Sequence, residues 1–366
     1  MNMNWLLIFI PVAFALDHWH ASPVVIFLAS AAAIVPLAKL MEQATDALAH
    51  YLGPTYGGLL SATMGNAPEL IIGISALREG LIDVLKGSIA GSIIGTLLFG
   101  VGATMISGGL SKPVQHFDRE MVSINSALLM LATFGLVIPA VFNFSVAADR
   151  EISIEVAIVL LLIYLASMAY TILTSRPTVG KQAVESALKE IEETGAVPPE
   201  PVEEEHVPDW SRNFALGVLG AVAVTLALVS DLLTGSIQPA ADSMGLTPVF
   251  AGVFLLAMVG NIPQYMNSVA FAKKNQMTLA LSINLGATTQ LALLVAPLLV
   301  IAGAFMGLDM NLRFTNFELV GIILSVIIGR SLIADNSSNW LEGVMLVGVY
   351  LMLGIGFFFV PAGAGH

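Results

Sequence analysis

Long apolar runs separated by short polar breaks make up almost the whole chain. Most runs are long enough for a helix to cross the roughly 30 Å hydrocarbon core of a bilayer. They lack the short alternating segments typical of a membrane β-barrel, so we expect helices. The pattern predicts eleven membrane spans, near 3–16, 22–48, 53–78, 82–108, 119–142, 151–174, 211–237, 246–272, 277–305, 315–333 and 340–360.

One long polar segment, 176–210, divides the chain into two halves. With the first span set aside, five predicted spans precede this segment and five follow it. An odd number of spans reverses the orientation of the second set, which predicts two inverted five-helix repeats in an all-α polytopic membrane protein. The predicted units are an N-terminal transmembrane helix (1–20), a first repeat (21–175), an acidic linker (176–210) and a second repeat (211–366).

The composition supports a membrane protein, because 57% of the residues are hydrophobic and only 11% are charged, against roughly 25% charged in soluble domains. The net charge of −12 comes largely from residues 181–209, which hold nine acidic residues and two lysines. A solvated acidic linker gives no basic surface for nucleic acid. The chain has no cysteine, which excludes disulfides and thiolate metal sites.

The distribution of Lys and Arg predicts the orientation in the cell membrane. With the N-terminus inside, nine lie at cytoplasmic ends and four at outer ends, which favours a cytoplasmic N-terminus and a cytoplasmic acidic linker. The apolar stretch from Trp5 to Leu16 is also as short as a signal-peptide core. It lacks a basic n-region, so we favour a short first transmembrane helix, with cleavage as the alternative.

Two related motifs lie inside apolar runs: residues 65–69 (Gly-Asn-Ala-Pro-Glu) and residues 260–264 (Gly-Asn-Ile-Pro-Gln). Each residue of the second motif lies 195 positions after its counterpart, as 260 follows 65. A repeated Gly-Asn-x-Pro motif at bilayer depth predicts two interrupted helices that face each other. Secondary transporters bind ions at such interruptions, because backbone carbonyls and half-helix ends are exposed there.

Glu69 is the central candidate for chemistry. A carboxylate near the bilayer midplane is costly to keep ionised and is normally functional, so a proton and a metal cation can compete for it. Asn66 lies three residues earlier on the same helix face, and hard cations such as Ca²⁺ prefer carboxylate and carbonyl oxygens. The alternative is structural: Glu69 caps a helix or pairs with Lys39.

Gln264 occupies the equivalent position in the second motif, where it can offer an oxygen but carries neither charge nor proton. The predicted cation- and proton-binding set is Glu69, Asn66, Asn261, Gln264, Ser92, Thr96, Thr288 and Gln290, with Glu69, Asn66 and Asn261 as metal ligands. The polar residues of this set are either ligands or ordinary interhelical hydrogen-bonding groups. Glu42 and Asp231 either line an acidic pathway or gate, or lie at the membrane–water interface. We expect no resident cofactor.

Six short stretches of the two halves belong together: Leu40–Asp46, Leu52–Leu60, Gly65–Ile71, Gly260-Asn261, Lys274–Met277 with Leu279–Leu281, and Gln290–Pro297. Taken together, they resemble the calcium/proton exchangers of the calcium/cation antiporter superfamily. The resemblance implies an antiporter of eleven helices and two inverted repeats that exports Ca²⁺ by using an inward proton gradient. It further implies that one Glu from each motif meets at the membrane centre, at the positions of Glu69 and Gln264.

The second of these positions departs from the family pattern, since Gln264 replaces a Glu. Tyr265 stands where the family usually has His, Gln238 where an acidic residue is common, and Gly95-Thr96 where Ser-Asn is more usual. With one carboxylate, a bound Ca²⁺ leaves the site net positive, which weakens binding in a low dielectric. Three explanations stay open: an engineered isostere of Glu, a divergent exchanger for a monovalent cation or with another stoichiometry, or another acid such as Glu42 or Asp231 that supplies the charge.

The sequence therefore predicts a cation/proton antiporter, with Ca²⁺/H⁺ exchange by alternating access as the favoured reaction. Its partners are an inorganic cation, protons and the lipid bilayer. The alternative from another class is an ion-binding or regulatory membrane protein that has lost transport. An enzyme is not expected, because no paired Asp, Ser/Lys or His-Glu-x-x-His arrangement of an intramembrane hydrolase is present.

Overall fold

The structure is a computed structural model that describes residues 4–142, 149–174, 210–333 and 336–361. The predicted acidic linker, apart from Trp210, lies outside the described residues. A short 3₁₀ turn, Asn4–Ile8, leads into the first helix. The helices are α1 Phe9–His18, α2 Pro23–Met64, α3 Ala67–Arg78, α4 Ile82–Ser111, α5 Arg119–Phe142, α6 Asp149–Thr174, α7 Arg212–Ser243, α8 Pro248–Lys273, α9 Met277–Phe305, α10 Asn316–Ile333 and α11 Trp340–Phe358.

Nine of the helices in the described part of the chain are long and apolar enough to cross a membrane. The prediction of an all-α polytopic membrane protein is therefore confirmed. The exact number of spans and the division into two inverted repeats stay predictions.

Helix α2 differs from the predicted boundaries. It consists of two helical segments joined at a kink at Gly53, with φ 77° and ψ 174°, and the second segment runs on to Met64. Glycine adopts a positive φ at little cost, so the chain kinks there, close to the predicted boundary at residues 49–52. The chain has a further interruption at Gly65 and Asn66, inside the predicted span 53–78.

Helices α4 and α8 pass each other with their backbones in direct contact. A Cβ atom on Gly91 would overlap the backbone of Val253, and one on Gly252 would overlap the carbonyl oxygen of Val84. Helix α4 is also the most deeply buried of the nine long helices. Small residues allow this close approach, because helix association in lipid depends on van der Waals packing.

Three of the long helices contain a π-helical segment that the sequence analysis did not predict. The segments are Thr96–Gly100 in α4, Ala251–Leu256 in α8 and Leu291–Val295 in α9. The first and third are related by the same offset of 195 positions as the two motifs, as 291 follows 96. Such bulges are frequent at functional sites, because they turn neighbouring side chains out of the regular helical register.

A short ribbon joins the loops at one end of the bundle. Strand β1, Val114–His116, pairs in antiparallel fashion with strand β2, Ser337–Asn339. The amide of Gln115 on β1 donates hydrogen bonds to the carbonyl oxygen of Ala272 at 3.0 Å and to Oδ1 of Asn275 at 3.1 Å. The ribbon therefore connects the start of α11 to the turn between α8 and α9.

The contact between α4 and α8 predicts the effect of a single added methyl group. We expect Gly91→Ala to separate the two helices and to lower the apparent melting temperature in detergent, because overpacking a tight contact typically costs about 1–3 kcal/mol. The matched control is Gly348→Ala on α11, where an added Cβ meets nothing within 4 Å. Equal melting temperatures for the two variants would contradict the tight crossing.

Candidate cation-binding site

The first motif lies at the interruption between α2 and α3. Helix α3 begins at Ala67, with Glu69 in its first turn, and Asn66 precedes it with φ −109° and ψ 19°. The Asn66 side chain makes no capping bond to the helix, so it is free to contact a neighbouring element. The first turn of α3 carries the partial positive charge of a helix N-terminus, which favours a carboxylate there.

The Glu69 side chain faces the second motif. A Cβ atom on Gly260 would lie 3.5 Å from Cγ of Glu69. The two motifs therefore meet, as predicted. Oxygen Oε2 of Glu69 is buried and has no hydrogen-bond partner among the described residues. A buried acceptor without a partner is unfavourable, so a proton or a cation is the natural partner for this oxygen.

The predicted interruption at the second motif is wrong. Gly260, Asn261 and Pro263 all lie within the continuous helix α8. Proline removes only one backbone hydrogen bond, and membrane helices tolerate it when neighbouring groups satisfy the freed carbonyl. The irregular backbone of this helix lies earlier instead, in the π-helical segment Ala251–Leu256.

The two motif asparagines make reciprocal bonds to the opposite half of the chain. Nδ2 of Asn66 donates to Oε1 of Gln290 at 2.8 Å. Nδ2 of Asn261 donates to Oγ of Ser92 at 2.8 Å, and Oγ1 of Thr96 donates to Oδ1 of Asn261 at 3.4 Å. Since the Asn66 amide N–H is engaged, its carbonyl oxygen is left to ligate a cation. The carbonyl oxygen of Asn261 already accepts from Thr96, and Asn261 is not part of the lining of either cavity described below.

Two cavities lie on either side of Glu69. The larger, about 220 Å³, extends toward the turn between α8 and α9, and its polar lining is Glu42, Asn66, Glu69, Gln264, Asn267, Ser282 and Gln290. The smaller, about 20 Å³, extends toward the turn between α3 and α4, and its polar lining is Glu69, Ser88 and Ser92. The smaller volume holds about one water molecule. Glu69 and Gly260 line both cavities, so this carboxylate lies between them.

Glu42 lies on the wall of the larger cavity. Both of its carboxylate oxygens accept from Nδ2 of Asn267, at 2.7 and 2.8 Å. This contact joins α2 to α8. The predicted pathway residue Glu42 thus lines the larger cavity together with Glu69. It does not line the smaller cavity.

Gln264 and Tyr265 belong to a neutral polar network. Nε2 of Gln264 donates to Oδ1 of Asn284 at 3.4 Å, and Asn284 donates to Oγ1 of Thr104 at 3.2 Å. The hydroxyl of Tyr265 lies 3.5 Å from Oγ1 of Thr96. The amide orientation of Gln264 leaves its oxygen available to a cation in the larger cavity.

Two predicted residues lie apart from this arrangement. The hydroxyl of Thr288 donates to the carbonyl oxygen of Asn284 in its own helix, at 2.8 Å. Asp231 forms an ion pair with Arg78 at 3.1 Å, between α7 and the end of α3. Thr288 and Asp231 are not part of the lining of the two cavities, and neither are Thr96 and Asn261, which lie behind Ser92.

Several polar groups that the fold brings to the site were not predicted from the sequence. Asn267, Ser282 and Ser88 line the cavities, and Asn284 orients Gln264. Each of them is a polar side chain inside an apolar span. This pattern could have identified them, because such groups rarely face lipid. Asn267 also lies six residues after Asn261 on the same helix.

The fold and the site are those of a membrane cation transporter, and comparison with known proteins supports this class. The family model described as sodium/calcium exchanger protein matches residues 22–173 and 214–359. The chain belongs to the sodium/calcium exchanger family.

Individual relatives match along almost the whole chain. The Ca²⁺/H⁺ antiporter of Aphanothece halophytica is 42% identical over 362 residues, covering 97% of this chain and 96% of the relative. The Ca²⁺/H⁺ antiporter ChaA of Bacillus subtilis is 36% identical and covers 94% of each chain. The solved structure of native YfkE is 31% identical, with a TM-score of 0.81, covering 98% of this chain and 100% of YfkE.

The reciprocal asparagine bonds predict an energetic coupling between the two halves. We expect Asn66→Ala and Gln290→Ala each to lower stability, and the double variant to lose less than the sum, because the second change removes a partner already lost. The expected coupling is about 0.5–1.5 kcal/mol, the usual net value of one hydrogen bond. Thermal unfolding of the two single variants and the double variant in detergent measures it. Strictly additive losses would show that this bond contributes nothing.

Proposed function

We propose that this protein is a Ca²⁺/H⁺ antiporter that works by alternating access, with Glu69 as the group that binds either the cation or the proton. One observation carries the proposal: Glu69 lines both cavities, and one of its buried oxygens has no partner. A site that two compartments reach in turn is the requirement for alternating access. The relatives described as Ca²⁺/H⁺ antiporters support Ca²⁺ as the cation.

The ligands follow from the site chemistry. Ca²⁺ takes oxygen ligands, and carboxylate and amide oxygens are both suitable. Glu69 supplies the charge, and Asn66, Asn261 and Gln264 supply carbonyl oxygens. Ser92, Thr96 and Gln290 hold the two asparagines in place through the bonds described above, so we assign them a positioning role.

The exchange then proceeds in two half-cycles. Ca²⁺ enters the larger cavity and displaces the proton from Glu69, and the proton leaves to the same compartment. After the site opens to the opposite side, a proton displaces Ca²⁺ there and neutralises Glu69 for the return. Leaving Glu69 charged and empty at this depth is costly, which suppresses a return without either ion and so couples the two fluxes.

The moving element in this proposal is the pair of helices α2 and α7. Their buried apolar residues, including Ile34, Met41, Leu226 and Leu233, form a second hydrophobic cluster, which also takes in Ile72 of α3, Val84 of α4 and Val259 of α8. The main core contains residues of α4, α9 and α10, such as Ile93, Leu293 and Ile322. In this proposal α2 and α7 slide as a unit across this second cluster, while the packing within the main core is kept.

We further propose that the N-terminus and the acidic linker are cytoplasmic, as the Lys and Arg distribution indicates. In that orientation the turn between α8 and α9 faces the cytoplasm, and so does the larger cavity. The larger cavity would then receive Ca²⁺ from the cytoplasm for export across the cell membrane.

Glu69→Gln tests the proposal most simply. We expect it to abolish both Ca²⁺ flux and the coupled proton flux in proteoliposomes, because the amide can neither release a proton nor balance the cation charge. The matched control is Glu79→Gln, the same change at the C-terminal end of α3, where the side chain is exposed; it should retain flux. Parental flux in Glu69→Gln would refute the assigned role.

Glu42→Gln tests the entrance to the site. We expect it to raise the KM for Ca²⁺ several-fold and to change kcat little, because Glu42 attracts the cation into the larger cavity without holding it through the transport step. Initial rates of Ca²⁺ uptake over a range of Ca²⁺ concentrations separate the two constants. An unchanged KM with a large loss of kcat would instead place Glu42 in the moving gate.

A further inference from the structure

We propose that Asn284 is a positioning residue of the cation site. It presents a fixed acceptor oxygen to Gln264, so that the amide nitrogen of Gln264 turns toward Asn284 and its oxygen turns into the larger cavity. The inference rests on the proposed antiport and names a residue that acts on the cation through Gln264. Asn284 lies on α9 and is fully buried, and it is not part of the lining of either cavity.

The neighbours of Asn284 allow only one orientation of its amide group. Nδ2 donates to Oγ1 of Thr104 at 3.2 Å and to the carbonyl oxygen of Ala280 at 3.3 Å. The hydroxyl of Thr104 donates to the carbonyl oxygen of Gly100 at 2.7 Å, so its own oxygen can accept from Asn284. After a half-turn of the amide, Oδ1 of Asn284 would face the Ala280 carbonyl oxygen, which is another acceptor. Oδ1 therefore points away from both of these neighbours.

This fixed oxygen determines how the Gln264 side chain lies. Nε2 of Gln264 donates to Oδ1 of Asn284 at 3.4 Å, and the amide oxygen is the other end of the same planar group. Gln264 lines the larger cavity, so its oxygen is the end that meets an entering cation. Without an acceptor at position 284, either end of the amide can face the cavity, and the N–H end repels a cation.

A glycine on α4 makes room for this contact. Gly100 is the last residue of the π-helical segment Thr96–Gly100. A Cβ atom on Gly100 would lie 3.2 Å from Oδ1 of Asn284 and 2.8 Å from the ring of Tyr265. A methyl group at this position would therefore press on both side chains. Its absence lets Asn284 approach α8 beside Gln264.

The first half of the chain has no such network at the equivalent place. In the two motifs, equivalent residues lie 195 positions apart. The same offset gives three pairs across the network: Gln264 and Glu69, Asn284 and Ile89, and Thr104 and Leu299. Ile89 and Leu299 line the smaller cavity together with Glu69, and as hydrocarbon side chains they offer it no hydrogen bond. The second half thus orients its central side chain through Asn284, whereas the first half leaves its carboxylate to the transported ion.

A double-mutant cycle on Ca²⁺ transport tests whether Asn284 acts through Gln264. In proteoliposomes we expect Asn284→Ala to raise the KM for Ca²⁺ about 2- to 10-fold, the effect of one lost hydrogen bond, and to change kcat little. In a Gln264→Ala background the same change should leave KM unaltered, because the oxygen that Asn284 positions is already absent. An equal rise in KM in both backgrounds, or a loss of kcat alone, overturns the inference.

Thr104→Val tests the same network from a second residue that lines neither cavity. It removes one of the two acceptors that hold the amide of Asn284, at nearly constant side-chain volume. We expect a smaller rise in KM, and Thr104→Ser should restore the parental value because it keeps the hydroxyl. The matched control is Ser325→Ala on α10, which removes a buried hydroxyl that donates within its own helix; its KM should be parental. A parental KM in Thr104→Val contradicts the inference.

Thermal unfolding in detergent separates failure of this inference from failure of the proposed function. The single variants Asn284→Ala and Gln264→Ala and the double variant should show non-additive losses of melting temperature, because the two residues share one bond. Additive losses overturn the inference, whichever ion is moved. If a pH gradient drives Na⁺ or K⁺ but no Ca²⁺, the proposed choice of Ca²⁺ is wrong, and the KM cycle with the transported cation then decides the role of Asn284. A protein that moves none of these ions overturns both proposals.

Discussion

The buried carboxylate of Glu69 is the constraint on which the rest of the site depends. Its oxygen Oε2 is enclosed without a hydrogen-bond partner, in a helical bundle where an unneutralised charge is costly. The first turn of α3 offsets part of this cost through the helix dipole, and the remainder favours a bound proton or cation. Because the same side chain borders both cavities, the proposed exchange makes the occupant that neutralises Glu69 the ion that crosses.

The surrounding helices hold Glu69 in this position in two ways. They pack closely at glycines, and hydrogen bonds satisfy the other polar groups of the site. Glycines 91 and 252 bring α4 and α8 into backbone contact, and this contact sets Ser92 beside Asn261. The corresponding bond between Asn66 and Gln290 joins the two halves on the other side of the site. Each motif is thus held by the half of the chain to which it does not belong, so neither half forms the site alone.

Much of this arrangement could be predicted from the sequence, because membrane helices are defined by long apolar runs and polar residues within them are rare. The contact between Glu69 and the second motif was predicted from the paired motifs at residues 65–69 and 260–264. The interruption at Pro263 was wrongly predicted, since neighbouring groups can satisfy the carbonyl that a proline frees. The π-helical segments and the bond from Asn267 to Glu42 depend on how helices from distant parts of the chain pack, and local sequence carries no signal for that.

The central claim is that a cation and a proton compete for one carboxylate, Glu69. The most direct measurement is the affinity of the purified protein for Ca²⁺ by titration calorimetry over a range of pH. Because a ligating carboxylate must be deprotonated, the account predicts that the apparent affinity falls as the pH is lowered, approaching about tenfold per pH unit in the acidic range, with proton release on binding. An affinity that does not change with pH, or binding without proton release, would contradict it.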